Sequence, residues 1–228
     1  MNLKNYNALI LAGGKSSRFG SDKTTEPFGE FASLTHFLYQ RLSRVFGSVK
    51  VCAKAAKFSV PLPLLIDDFS EFAPIFVLAC LDKNFCLDKN FSKPVFILPA
   101  DMPFISEAEI FALFKSLKDF DICYAKDSKK EHFLCGFFRP SIAAKAREQI
   151  AAGELAIHKL LNLCYSTSVK FERDFLNINY KDDFKKALEF AREFKFYNSR
   201  IPCHPQAGLS LSSSGLARGS LYGILDYL

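Results

Sequence analysis

The sequence predicts a three-layer α/β/α sandwich built on a mostly parallel, mixed sheet. Three observations carry this expectation. Short continuous apolar runs of strand length alternate with amphipathic helical stretches through most of the chain, the pattern of βα units that bury a sheet on both faces. The first run, Ala8 to Leu11, leads at once to Gly13-Gly14. A later one, Val95 to Leu98, leads into Pro99-Ala100-Asp101. Turns at the carboxyl ends of parallel strands are where open α/β sheets bind ligands.

Each element has its own local reason. Leu34 to Phe46 has helical periodicity, with Phe37, Leu38, Leu42, Val45 and Phe46 on one face and Ser33 placed to cap it. Val49 to Ala53 and Leu64 to Ile66 read as the second and third strands, and a helix is expected from Pro74 to about Leu81. The hexapeptide CLDKNF at 80–85 recurs immediately at 86–91. A unit that short cannot build a solenoid, so it reads as an insertion lengthening a surface loop. Ser106 and Glu109 have capping-box spacing for a helix over Glu107 to Leu117. Ile122 to Ala125 and Phe133 to Phe138 read as strands around the polar turn DSKKE. Pro140 suits the first turn of a helix that reaches Ala152 and is ended by Gly153. A short helix from Leu155 to Leu163, a strand around Ser168 to Phe171, the segment FLNIN and a helix from Asp182 to Phe194 complete the order. Residues 1–196 are expected to form one domain. Residues 197–228, rich in Gly, Ser and Pro, read as a weakly ordered tail.

Composition narrows the function classes. With 49% hydrophobic residues among 228, the chain can bury a proper core, and its 25 Phe read as core filling. A net charge of +6 suits anionic ligands, but the cations are interleaved with acids and form no block of nucleic-acid type. The seven cysteines make no C-x-x-C pair and no zinc-ligand cluster, and are expected to be reduced, buried thiols of a cytoplasmic protein. No apolar stretch approaches the ~20 residues of a membrane span.

The most informative stretch is LILAGGKSSRFGSDK, Leu9 to Lys23. A Walker loop would need glycine at Leu9, and a Rossmann fingerprint would need it at Lys15 or Ser16, so both templates fail. What remains is a strand, a Gly-Gly turn, and Lys15, Arg18 and Lys23 on a loop containing Gly20. Small residues let backbone N–H groups approach phosphate oxygens while cations neutralise their charge; the same composition also serves an ordinary surface turn. Asp101, just past a buried strand, suits a Mg²⁺ bridging nucleotide phosphates, or equally a turn before the Ser106 helix.

Leu11, Ala12, Gly13, Gly14, Ser16, Arg18, Phe19, Gly20, Asp22 and Lys23 closely resemble the signature L-A-G-G-x-S-x-R-[MF]-G-x-D-K of the molybdenum cofactor guanylyltransferases. These are nucleotidyltransferases with a nucleotide-diphospho-sugar-transferase fold. Pro99 to Pro103 resembles the family's P-[AC]-D-x-P, and Phe175 to Asn179 its F-x-N-[VI]-N, with Tyr180-Lys181 where Thr-Pro is usual. The resemblance implies a nucleotide site of Leu11, Ala12, Gly13, Gly14, Lys23, Asp68 and Asp101, with Asp67 a rival for Asp68. It implies catalytic roles for Lys23, Arg18 and Asp101, and a Mg²⁺ held by Asp101 and Asn179. Weaker matches are Ala73 to Val77, which stands for G-P-L-A-G without its glycines, and His132 to Arg139, which resembles H-P-L-x-G-L-Y-R without its proline. There His132 is implied to be structural or substrate-adjacent, and Cys52 stands where relatives often have Asn.

The activity implied is transfer of GMP from GTP to the phosphate of molybdopterin, releasing pyrophosphate and forming the guanine dinucleotide cofactor. Gly13 matches the guanine-selective branch, since the cytosine-selective one reads L-A-A-G. Two alternatives stand beside it: a relative using CTP or a sugar or alditol phosphate acceptor, and a nucleotide-binding homologue without turnover. The implied partners are GTP, molybdopterin and molybdoenzyme-maturation proteins, with neither nucleic acid nor membrane.

Overall fold

The computed structural model describes residues 2–14, 17–67, 69–71, 73–85 and 93–198. Lys15, Ser16, Asp68, the second CLDKNF copy and the stretch 199–228 lie outside the described residues. The described residues form strands β1 (Leu3–Leu11), β2 (Phe46–Ala53), β3 (Leu64–Ile66), β4 (Val95–Pro99), β5 (Ile122–Lys126), β6 (Glu131–Phe138) and β7 (Ser166–Lys170). The helices are α1 (Leu34–Val45), α2 (Pro74–Leu78), α3 (Leu81–Phe85), α4 (Glu107–Leu117), α5 (Ala143–Ala151), α6 (Ile157–Leu163) and α7 (Lys181–Asn198).

The strands hydrogen-bond in one sheet, in the order β3-β2-β1-β4-β6-β5-β7. Pairs β3–β2, β2–β1, β1–β4 and β5–β7 are parallel, whereas β6 runs antiparallel to both β4 and β5. The period-two alternation of the buried strands sorts their side chains onto two faces. Ala8, Ile10, Phe96 and Leu98 pack under α1 and α4, beside Leu38, Leu42, Ile110 and Leu113. Their neighbours Leu9, Val95 and Ile97 pack on the opposite face against Ile75, Leu78, Leu81, Ala146 and Leu160 of α2, α3, α5 and α6. This is the expected three-layer sandwich. Gly136 of β6 is required by the sheet itself, because a Cβ there would lie 2.1 Å from the carbonyl oxygen of Cys123 on β5.

Most local expectations hold. Ser33 caps α1 through the His36 N–H, and the Ser106–Glu109 capping box forms in both directions. Three are revised. The helix expected from Pro74 to Leu81 stops at Leu78, where Ala79 and Cys80 close a tight turn onto Ile75 and Val77. The first CLDKNF copy is not loop. Leu81 and Phe85, one helical turn apart, bury together, and Arg147 binds Asp82 and the Ala79 carbonyl. The helix opened by Pro140 begins as a 3₁₀ turn before α5.

A third apolar cluster lies outside the sandwich. Phe19, Phe28, Leu34, Phe37, Phe104, Ile178, Phe184 and Ala187 pack together, with Phe19 edge-on to Phe184 at 5.5 Å and Phe28 edge-on to it at 5.4 Å. It joins three stretches far apart in sequence: the glycine loop with the chain into α1, the Asp101 turn, and the FLNIN segment with the adjoining α7.

Candidate active site

The strand order places β1 between β2 and β4, so the chain leaves β1 toward one side and returns on the other. That reversal is the switch point at which open α/β sheets form a ligand crevice beyond the strands' carboxyl ends. The register aligns those ends: Leu11 pairs with Cys52 on one side and with Pro99 on the other. The ladder continues one residue further, with Ala12 N–H donating to Cys52 O at 2.9 Å and Ala100 N–H donating to Leu11 O at 3.0 Å. The Gly13-Gly14 turn and Asp101 therefore emerge side by side.

Between them opens a cleft of about 600 Å³, lined by Leu11, Gly13, Gly14, Lys23, Thr24, Pro99, Ala100, Asp101 and, opposite, Pro74 and Leu134. Lys23 Nζ stands 3.8 Å from Asp101 Oδ2 and donates to the carbonyl oxygen of Ile178. The Ile178 N–H in turn donates to Asp101 O at 2.9 Å. Asn177 and Asn179 thus flank the residue that ties the FLNIN segment to both Lys23 and Asp101. Asp183 accepts the N–H groups of Asn179 and Tyr180, closing the first turn of α7.

A second recess of about 390 Å³ shares Leu11, Gly13 and Pro74 and extends to Cys52, Lys54, Asp67 and Val77. Lys54 Nζ donates to Phe69 O at 2.6 Å and to Glu71 O at 2.7 Å, and pairs with Asp67 Oδ2 at 2.9 Å. Asp67 reaches this wall because its N–H continues the β2–β3 ladder to Ala53 O. Burial, reinforced by nearby Asp67, pushes the Cys52 thiol up to about 12, so it is protonated at neutral pH and is no nucleophile.

Of the residues singled out from the sequence, Leu11, Gly13, Gly14, Lys23 and Asp101 meet around one cleft. Ala12 is buried beneath it, and Asn179 joins through its neighbour Ile178. Arg18 lies exposed on the 17–19 turn, outside the cleft lining. Asp68 lies outside the described residues, whereas its rival Asp67 lines the adjoining recess. His132 is structural: its ring is buried and bonded at 2.7 Å to the buried Asp127 carboxylate.

Sequence reasoning missed the supports. Lys57 Nζ donates to Ala12 O at 2.8 Å and to Asp22 Oδ2 at 2.5 Å. Burial raises the Asp22 carboxyl, but hydrogen bonds from Lys57 and Thr24 outweigh it and hold the group below its ordinary range. Arg41 donates to the carbonyls of Pro103 and Ile105, and Arg173 to Phe104 O while it pairs with Glu109. The only sequence signal for Lys54 and Lys57 was their position just past a strand end, which gains meaning once β2 is known to neighbour β1.

The chain matches the MobA-like NTP transferase domain over residues 8–167. It is 33% identical over 191 residues to a molybdenum cofactor guanylyltransferase of Campylobacter jejuni, covering 82% of this chain and 97% of that one. A protein of the same name from Helicobacter pylori is 29% identical over 199 residues, covering 84% and 96%. The fold is shared with molybdopterin-guanine dinucleotide biosynthesis protein A of Archaeoglobus fulgidus, at a TM-score of 0.67 and 20% identity over 82% of this chain and 99% of that one. The matched span contains the glycine turn, Lys23 and Asp101, so the residues that build the cleft are those the match covers: the chain belongs to the MobA-like NTP transferase family.

Proposed function

We propose that the protein transfers GMP from GTP to the terminal phosphate of molybdopterin, releasing pyrophosphate. One observation supports this most directly: the Gly13-Gly14 turn, Lys23 and Asp101 converge at the β1/β4 switch point, with the 177–179 segment tied to them. The names of the Campylobacter and Helicobacter relatives support the choice of substrates. The activity is assigned to residues 1–196 and to the cytoplasm.

In this reading an oxygen of the acceptor phosphate attacks the α-phosphorus of GTP, a new P–O bond forms, and the bond to the β-phosphate bridge breaks. The attacking oxygen is already anionic, so no general base is required. That agrees with a cleft in which Cys52 is a protonated thiol and His132 is bonded away to Asp127. Gly13 and Gly14 receive the nucleotide with their backbone, and Lys23 and Arg18 are the cations assigned to its phosphates. The recess beside Cys52, Lys54 and Asp67 accommodates the base.

The donor set fits Mg²⁺. Asp101 offers one partly exposed carboxylate beside the phosphate site, and among the described residues no three His, Cys, Asp or Glu gather into a denser cage. Mg²⁺ is commonly held by one or two carboxylates, with phosphates and water completing its shell. Asp101 would hold it, with Asn179 beside it, and bound Mg²⁺ would neutralise charge on the transferring phosphates.

Incubating the protein with Mg²⁺, molybdopterin and either GTP or CTP, and measuring pyrophosphate, tests the reading. Release with GTP alone is expected. Release with CTP alone would move the protein to the cytosine branch, and none with either would make it a binding protein.

A further inference from the structure

Building on the nucleotide-site reading above, we infer that Lys57 is a positioning residue that staples both ends of the 13–21 loop and thereby sets the direction of the Gly13 N–H. One ammonium group makes both contacts: it donates to Ala12 O at 2.8 Å and to Asp22 Oδ2 at 2.5 Å. Ala12 immediately precedes the Gly13-Gly14 turn, and Asp22 immediately precedes Lys23. The staple therefore closes the loop at its base.

The contact with Ala12 acts through the peptide bond itself. The Ala12 carbonyl and the Gly13 N–H belong to one planar trans unit, so they point in opposite directions. Gly13 has no side chain with which packing could hold that plane. Lys57 holds it instead, turning the carbonyl toward itself and the Gly13 N–H away. At the other end, Asp22 also accepts from Thr24 N at 3.0 Å and Thr24 Oγ1 at 2.6 Å, which fixes the backbone on either side of Lys23. Lys57 is not among the residues lining the cleft, and its charge is already matched by Asp22. It acts on the nucleotide through the loop rather than by touching it.

The full-length protein tests this with two readouts: amide hydrogen exchange over residues 12–25 without nucleotide, and GTP affinity by calorimetry with Mg²⁺. Lys57→Met keeps the chain length and removes the charge. It is expected to speed exchange in the loop and to weaken GTP binding about tenfold, the size of effect that charge-assisted contacts of this kind have when partly exposed. In turnover the loss should fall on KM and leave kcat within about threefold. Lys57→Arg should restore affinity to within about threefold, and adding Asp22→Asn to Lys57→Met should cost less than about twofold more, because the two residues act as one contact. Unchanged exchange and affinity in a folded Lys57→Met protein would overturn the staple. So would losses from Lys57→Met and Asp22→Asn that multiply. Failure of the wild-type protein to bind GTP would overturn the functional reading alone, since the exchange comparison still judges the staple.

Discussion

Across the cleft the Gly13–Asp22 loop faces the Asp101 turn and the FLNIN segment, and the two rims are held differently. On the Asp101 side, Arg41 reaches from α1 to two carbonyls of the 103–105 turn, and Arg173 binds a third while pairing with Glu109 at 2.6 Å. Burial pulls the Arg41 guanidinium down to about 10, so it stays charged at neutral pH. Asp127 accepts the N–H groups of Lys129, Lys130 and Phe175 as well as His132, fixing where the FLNIN segment starts. On the described part of the glycine-loop side, the long-range anchorage comes from one partly exposed lysine and one buried ring, Phe19, and the remaining bonds of Ser21 and Asp22 run to their near neighbours Thr24, Thr25 and Glu26. Under the proposed function, the difference follows from what each rim would do. A rim that presents a carboxylate to a metal and to reacting phosphates gains from rigid placement, whereas a loop that wraps a nucleotide must admit and release it.

The comparison would break first if both rims contributed equally to chemistry through shape alone. Asp101→Ala and Lys23→Ala are each expected to lower kcat by ~10²–10³ while the protein stays folded, with the thermal midpoint lowered more by Lys23→Ala because Lys23 also bonds Ile178 O, measured by pyrophosphate release and calorimetry. Near-normal turnover in either would remove the charged residues from the mechanism.

Next in size is the buried clamp. Burial raises the Asp127 carboxyl, but hydrogen bonds from His132 and from the Lys130, Lys129 and Phe175 N–H groups more than offset this and hold it well below the usual carboxylate range. A group depressed in the folded state contributes stability that is complete above its unfolded value, near 4, and lost as pH falls toward the folded value. Asp127→Asn should cost about 2–3 kcal/mol at neutral pH, since it leaves buried donors without a charged acceptor. It should also flatten the decline of stability below pH 4, followed by urea unfolding across pH. An unaltered acid profile would assign that decline to other carboxylates.

The smallest effect sharpens the loop side. Phe19→Met restores the residue more usual in the resembling signature and nearly conserves volume, so it should cost less than about 1.5 kcal/mol and leave GTP affinity unchanged. A large loss of affinity would mean that the Phe19–Phe184 contact holds the loop more firmly than Lys57 does.

The strand-end turns were legible because their chemistry is local. A Gly-Gly pair after a buried apolar run, or an aspartate after another, marks a strand-end turn within a few residues, while its link to a nucleotide came from the longer family signature. Helix caps at Ser33 and Ser106 were legible for the same reason. The abundance of Phe was read as core filling, and it is, but the cluster of Phe19, Phe28, Phe37, Phe104 and Phe184 also fastens the site's separate segments together. Nothing in the spacing of those residues announces that they meet.

The amino-acid pattern alone therefore determined the alternating elements and the sandwich class, which rest on short-range periodicity and backbone geometry, and it singled out the Gly13-Gly14 turn, Lys23 and Asp101 through their resemblance to a family signature. Tertiary structure decided the rest. It set β6 antiparallel within the sheet, brought Lys23 to 3.8 Å from Asp101, and turned Lys57, Arg41, Arg173 and Asp127 into supports. Those roles depend on which strand lies beside which. Strand order comes from burying both sheet faces at once, a property of the whole chain that no local stretch encodes.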